Sequence, residues 1–164
     1  MREVRIMKGE AGEIAALAAI HIEAVAEGAG VSFLHPLTED RASDYWQGAF
    51  AAAARGERII LGAFNGETLA GTVTLQLELP ENQPHRAEIW KMIVAKGARR
   101  KGIASELLSA AEMAARALKR TLLVLDTVSG SAAEALYVQR GWVRVGEIPD
   151  YALLPDGVPG PTTI

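Results

Sequence analysis

The feature that most constrains the fold is one uninterrupted run from an apolar strand, through a basic turn, into an amphipathic helix. Glu88–Ala95 has the composition of a strand, and apolar residues from Ile103 to Leu118 recur at helical spacing. Between these segments lie four cations within six residues, namely Lys96, Arg99, Arg100 and Lys101. Thr121–Val128 then has the pattern of a continuous buried strand. The order strand, helix, strand predicts a parallel β-α-β unit.

The remaining segments add strands and helices around this unit. Apolar residues recur at helical spacing from Ile14 to Val25, and Thr38 is placed to cap a second helix that ends at Gly56. Asn65-Gly66 is typical of a hairpin turn between antiparallel strands. The other predicted elements are strands at Val4–Ile6, Ile59–Phe64, Thr68–Leu79 and Trp142–Ile148, a helix at Ser131–Gln139, a loop at Pro155–Pro161, and a final strand that starts at Thr162 and is cut short. We therefore expect a single mixed α/β (α+β) domain over residues 1–164.

Composition excludes several classes of function. The chain contains no cysteine, which excludes disulfides, thiolate metal sites and a covalent cysteine intermediate. The net charge of −3 gives no basic footprint, so we expect no nucleic-acid partner. The apolar stretch Ile14–Ile20 is far shorter than the roughly 18 residues of a membrane span, and no secretory signal is recognisable, so we expect a cytoplasmic protein without a membrane partner. His21, His35 and His85 lack metal-ligand spacing, so no metal is predicted.

The basic turn has the chemistry of a diphosphate site. A helix N-terminus offers unpaired backbone N–H groups, and the small residues Gly102 and Ala104 allow phosphate oxygens to approach the main chain. Gly97 and Gly102 have the spacing that opens a P-loop, but Ile103 and Ala104 stand where that motif requires Lys and Ser or Thr. Gly28-Ala29-Gly30 follows a helix rather than a strand, which excludes a dinucleotide fingerprint. The alternative is a basic loop with a glycine in the first turn of a helix.

Two motifs together resemble the GCN5-related N-acetyltransferase (GNAT) family. Val94, followed by Arg99-x-x-Gly102-x-Ala104, resembles that family's acyl-CoA pyrophosphate motif, and Ala133-Glu134-Ala135-Leu136-Tyr137-x-x-x-Gly141-Trp142 resembles its second motif. The resemblance covers essentially the whole chain. It implies a GNAT-like fold, with a central mixed twisted sheet of about six to seven strands, helices on both faces, and strands four and five splayed apart. Arg86-Ala87-Glu88 and Leu125-Asp126-Thr127 are more narrowly similar to tabtoxin-resistance-type acetyltransferases.

The resemblance implies acetyl-CoA as cosubstrate and assigns residues to it. The pantetheine arm would lie along Met92, Ile93 and Val94, and the backbone N–H of Met92 would polarise the thioester carbonyl. The pyrophosphate would lie at Arg99, Arg100, Lys101, Gly102, Ile103, Ala104 and Ser105. The side chains of Arg100 and Lys101 are equally compatible with a solvated surface. Tyr137 matches the general acid for the departing thiolate, and its alternative role is packing on the sheet.

Because the chain has no cysteine, direct attack of the amine in a ternary complex is expected. A protonated amine must lose a proton first, and Asp126, at the end of the predicted fifth strand, is the first choice of base. Glu88 is the second choice. Either carboxylate has a structural ion-pairing role, or binding of the substrate ammonium, as its alternative. By analogy with the family, the acceptor pocket is expected at Ser32, Phe33, His35 and Trp90.

The sequence therefore predicts an acetyl-CoA-dependent N-acetyltransferase that acts on a small polar amine, for example an amino-acid-like toxin or antimetabolite. The principal alternative is a non-catalytic acyl-CoA-binding sensor or partner module. A peptide amine is a third acceptor class. The protein is expected to be a monomer or a homodimer.

Overall fold

A computed structural model describes residues 1–164 and contains eight strands and four α-helices. The strands are β1 (Arg2–Ile6), β2 (Arg58–Asn65), β3 (Thr68–Gln76), β4 (Arg86–Val94), β5 (Leu122–Val124), β6 (Thr127–Val128), β7 (Glu147–Leu153) and β8 (Pro159–Thr163). The helices are α1 (Ala11–Ala26), α2 (Glu39–Ala54), α3 (Ile103–Ala117) and α4 (Ala132–Gln139), and a short 3₁₀ turn covers Lys96–Ala98.

The first sheet contains β1 to β5 in chain order. Neighbouring strands from β1 to β4 are antiparallel, and Asn65-Gly66 forms the predicted turn between β2 and β3. β4 and β5 are parallel, but only Arg86–Glu88 pairs with Leu122–Val124. The rest of β4 therefore has no partner strand on that side, which agrees with the predicted separation of strands four and five.

A second sheet has the order β6, β8, β7. The mixed α/β fold is thus confirmed, but its strands are divided into sheets of five and three rather than joined in one sheet of six or seven. The expected continuous strand Thr121–Val128 is wrong, because β5 and β6 are separated at Leu125-Asp126. Leu122–Leu125 is uniformly apolar, so no change in its periodicity marks the point where pairing with β4 ends.

Two expectations for the last third of the chain are also wrong. The predicted strand Trp142–Ile148 begins only at Glu147, because the indole of Trp142 packs beside Tyr137 and donates to Glu112 instead. The predicted loop Pro155–Pro161 contains the start of β8, which begins at Pro159 rather than at Thr162. Its prolines lack an N–H, but their carbonyls still accept, as Pro161 does from the Ser129 N–H at 3.1 Å.

The core lies on both faces of the first sheet. Along β2, Leu61 and Ala63 pack with α3, whereas Ile60 packs with α1 and α2, because alternate residues of a strand face opposite sides. Leu107 and Leu108 are fully buried on the α3 side, and Leu17, Val25 and Trp46 on the other. No helix combines the length and the apolar composition that a membrane crossing requires.

Candidate active site

The turn from β4 into α3 leaves the helix N-terminus open. Gly102 is the N-cap residue with φ 80° and ψ 1°, and no side chain caps the helix. Arg100 also has a positive φ, 57°, so two nearby residues turn the chain through left-handed conformations. A Cβ added at Gly102 would meet no atom within 4 Å. The first backbone N–H groups of α3 therefore point toward open space.

Most cations of the turn are already engaged by the protein. Arg99 and Lys96 both pair with Glu27, at 2.5 and 2.9 Å. Lys101 Nζ donates to the Gly97 carbonyl at 2.9 Å, whereas Arg100 is exposed and forms no salt bridge. The remaining predicted cradle residues differ in exposure, because the Ile103 side chain is buried in the core and Ala104 and Ser105 are partly exposed. Arg100 is thus the cation of the turn that no other group of the protein engages.

The unpaired part of β4 presents mainly main-chain groups to the space beside it. The side chain of Ile93 is buried against α1 and α2, and those of Met92 and Val94 pack against the α3 side of the core. All three residues were predicted to contact the pantetheine arm through the backbone. Their side chains are occupied in packing, so the main chain is what they can offer to a ligand.

Tyr137 lies on α4, which begins at Ser131, whose hydroxyl accepts from the Glu134 N–H. Its side chain is buried at 7 % exposure, with its ring 5.9 Å from that of Trp142. Burial, and then the charge of Asp126, raise the pKa of Tyr137 to about 12. The phenol is therefore protonated at neutral pH.

Asp126 lies at the break between β5 and β6. Desolvation by the surrounding protein, followed by the like charge of Glu88, raises the pKa of Asp126, whereas Lys91 opposes that shift. Solvent still reaches the residue, so its desolvation is partial. Glu88 is differently placed, because its carboxylate pairs with Arg86 at 2.7 Å and accepts from the Trp90 indole N–H at 2.7 Å. Asp126 is thus the less engaged of the two candidate bases.

The four predicted acceptor-pocket residues have distinct surroundings. Phe33 packs edge-on against His21 and Tyr45, with ring centroids 4.8 and 5.5 Å apart. The exposed His35 donates its backbone N–H to Pro155 at 2.8 Å. Trp90 is half-buried, and Ser32 has φ 74° and accepts a hydrogen bond from Lys91 at 3.0 Å.

Lys91 is a site residue that the sequence did not indicate. One extra residue in β4 opposite β3, between Trp90 and Ile93, forms a β-bulge, and Lys91 within it has φ 51°. The bulge brings Lys91 Nζ to Ser32 and to 5.3 Å from the Tyr45 ring. No signal short of the strand register could have revealed this side chain.

A groove of about 490 Å³ lies on the opposite side of β5 from β4. Its walls include Leu122–Leu125, Tyr137 and the segment Trp142–Val145. Val143 and Val145 are 83 % and 81 % exposed, so much of this surface is apolar. No residue of β4 or of the α3 N-terminus lines the groove, so it borders the predicted acetyl-CoA site only through Tyr137.

The arrangement fits a ligand with a diphosphate and an extended arm. The open α3 N-terminus at Gly102 offers backbone donors to the phosphates, and the unpaired stretch of β4 offers a strand edge to the arm. No group of three or more His, Cys, Asp or Glu side chains is placed to hold a metal ion.

These features define an acyl-CoA-dependent transferase fold, and comparison with known families agrees. Residues 11–142 match the model of the acetyltransferase (GNAT) family. The chain belongs to this family, whose members use acetyl-CoA.

Solved structures share the fold at low sequence identity. An N-acetyltransferase from Staphylococcus aureus Mu50 matches with a TM-score of 0.83 and 21 % identity, over 99 % of this chain and 95 % of that one. A ribosomal-protein-alanine N-acetyltransferase from Brucella melitensis matches with a TM-score of 0.82 and 22 % identity, over 98 % of this chain and 96 % of that one. YncA from Salmonella typhimurium, solved with its cofactor acetyl-CoA, matches with a TM-score of 0.80 and 18 % identity, over 99 % of this chain and 90 % of that one. The likeness establishes the fold.

Proposed function

We propose that this protein transfers the acetyl group of acetyl-CoA to the amine of a small polar acceptor, for example an amino-acid-like toxin or antimetabolite. The observation that carries the proposal is the juxtaposition of an open α3 N-terminus at Gly102 with a β4 edge that β5 leaves unpaired. Acetyl-CoA supplies the acetyl group as a thioester, which the amine attacks directly with loss of the thiol.

The backbone around Gly102 is assigned to the diphosphate. Backbone N–H groups of Ile103, Ala104 and Ser105 would donate to it, and the helix dipole favours negative charge at this end. Lys96 and Arg99 pair with Glu27 and Lys101 donates to the Gly97 carbonyl, so Arg100 is the cation of the turn that is free to add charge complementarity. Met92 would contribute its main-chain N–H to the thioester carbonyl, where an oxyanion-hole donor supplies about 3 kcal/mol of transition-state stabilisation.

Tyr137 is assigned to the leaving sulfur. With its pKa at about 12, its proton is held more tightly than that of an ordinary thiol, whose pKa is about 8.5. Complete transfer to a thiolate would be uphill, so the phenol acts chiefly by donating a hydrogen bond to sulfur as negative charge develops.

Asp126 is assigned to the amine. Its raised pKa makes the carboxylate a better proton acceptor than an ordinary aspartate, and its solvent contact gives the proton a route out through water. Glu88 is held by Arg86 and Trp90, and it supports Asp126 by raising the pKa of that residue.

The test follows free thiol release from acetyl-CoA with a panel of amines, for the wild type and Tyr137→Phe. Val138→Ala, at an exposed neighbour on the same helix, is the matched control. We expect Tyr137→Phe to bind acetyl-CoA normally and to lose roughly 10- to 100-fold in kcat, the effect of one hydrogen bond to a charged group.

Two results would contradict the proposal. If acetyl-CoA binds but no amine releases thiol above background, the protein is a binding module rather than an enzyme. If amines are acetylated and Tyr137→Phe turns over like Val138→Ala, the assignment of Tyr137 is wrong.

A further inference from the structure

Two cations beside the proposed acceptor site have no carboxylate partner. Lys91 and Arg58 form no salt bridge, unlike Lys96 and Arg99, which both pair with Glu27. The Nε of Arg58 is buried and lacks a hydrogen-bond partner. A buried donor without an acceptor is costly, so its retention calls for a group that supplies one.

One tyrosine holds the two cations close together. Lys91 Nζ lies 5.3 Å from the centre of the Tyr45 ring, and the positive charge of Arg58 opposes the rise that burial causes in the pKa of the Tyr45 hydroxyl. The Arg58 guanidinium also lies 5.4 Å from the Trp90 ring, which belongs to the predicted acceptor pocket. Both positive groups thus border the same pocket wall.

The direction of the Lys91 side chain depends on the strained bulge in β4. Ala87 and Ile89 pack on the α3 side of this strand, so regular alternation would also direct Lys91 toward α3. The extra residue, with φ 51° at Lys91, directs Nζ to Ser32 instead. Strain of this kind persists where the surrounding structure holds it, and it clusters at ligand sites.

The charges around Lys91 leave it positive at neutral pH. Burial and the charge of Arg58 lower the pKa of Lys91 to about 8, while Asp126 opposes the shift. Burial, and then Lys91, lower the pKa of the neighbouring His21 to about 4, so His21 is neutral. Ser32 and Tyr45 are the uncharged groups in contact with Lys91.

We propose that Lys91 and Arg58 form a carboxylate-binding subsite for the acceptor, so that the substrate is an amino acid whose amine faces Asp126 and whose carboxylate faces this pair. The inference rests on the proposed acetyltransferase function. The three free protons of an ammonium and the planar donors of a guanidinium suit a carboxylate, which accepts at both oxygens. Asp126 would face the positive amine of the acceptor, and Lys91 and Arg58 would face its negative carboxylate. The site would therefore complement both charges of a zwitterion.

The experiment compares the common L-amino acids with the carboxamide of each, which keeps the amine and removes the negative charge. Acetylation is followed by thiol release, and binding to the protein is followed separately by calorimetry. The variants are Lys91→Met and Lys91→Arg, with Lys8→Met as the control at an exposed lysine. We expect Lys91→Met to raise KM for the preferred amino acid roughly 10- to 100-fold and to leave KM for its carboxamide unchanged. Lys91→Arg, which keeps the positive charge, should retain most of the affinity.

The two readouts separate this inference from the function on which it depends. If no thiol is released but an amino acid binds in preference to its carboxamide, and Lys91→Met removes the preference, the subsite stands and the enzyme proposal fails. If carboxamides are bound and acetylated as well as amino acids, or if Lys91→Met behaves like Lys8→Met, the subsite is refuted while acetyl transfer can still hold. If neither ligand class binds or reacts, both proposals are overturned.

Discussion

Replacing Gly102 by alanine tests the diphosphate cradle, because it separates the cost to the fold from the cost to binding. At φ 80° a Cβ is strained, and the left-handed conformation costs a non-glycine residue about 1–2 kcal/mol. The added carbon meets no protein atom within 4 Å, so no packing cost adds to this strain. In a chain of this length, the strain lowers Tm by about 2–8 °C.

Binding should lose more than stability does. The Cβ of Gly102→Ala would stand in the space through which a phosphate reaches the first N–H groups of α3. The loss of one hydrogen bond to a charged oxygen, about 1.5–3 kcal/mol, raises Kd for acetyl-CoA about 10- to 100-fold. Calorimetric titration with acetyl-CoA and thermal unfolding of the same samples measure the two effects.

Gly66→Ala is the matched control for this substitution. Gly66 has φ 60° and open space around its Cβ, but it lies in the turn between β2 and β3. Both variants should lose similar stability, and only Gly102→Ala should lose acetyl-CoA affinity. Equal Kd values for the two variants would refute the assignment of the diphosphate to this turn.

Two further perturbations test charges at specific positions. Glu13→Ala removes the carboxylate that accepts from the Lys8 and Gly9 N–H groups at 2.8 and 2.9 Å, and we expect a loss of about 2–4 kcal/mol in urea unfolding relative to the exposed control Glu3→Ala. Burial alone would raise the pKa of Glu13, but these hydrogen bonds outweigh it and lower the pKa. The stability difference between Glu13→Ala and the wild type should therefore be largest above pH 4.5, the ordinary pKa, and disappear as the pH falls through the lowered pKa. A stability difference that does not change with pH would contradict this. The pKa of Lys91 is about 8, so in the wild type KM for a carboxylate acceptor should rise about tenfold per pH unit above that value. In Lys91→Arg, KM should not change over the same pH range. An equal rise of KM in both proteins would show that Lys91 is not its cause.

The helix N-terminus at Gly102 could be predicted from the sequence because its determinants are local. A strand followed by a basic turn, with Gly102 before an amphipathic run, defines a helix N-terminus without reference to any distant residue. Thr38 was likewise recognisable as a cap, and its hydroxyl accepts the backbone N–H three residues later. Such helix ends depend on residues that are close in the sequence, so the sequence alone indicates them.

The C-terminal strands could not be placed from the same signals. Val143 and Val145 alternate with polar residues as a strand would, yet they are exposed, and β7 begins at Glu147. Pairing with β8 decides where β7 begins, and the prolines of β8 indicated a loop rather than a strand. Register between distant segments is a tertiary property, which alternation within one segment does not encode.

The bulge in β4 explains why a prediction that placed Glu88 and Trp90 on the fourth strand still missed Lys91. One inserted residue inverts the alternation, so Ile93 lies on the same side as Trp90 three positions earlier. The left-handed conformation at Lys91 would suit glycine better. The only side chain that forms a hydrogen bond with Lys91 is that of the exposed Ser32. Packing and hydrogen bonding therefore give little reason for a lysine at this strained position. A negatively charged acceptor gives a reason for lysine here, because the positive charge of Lys91, which has no salt-bridge partner in the protein, would bind it.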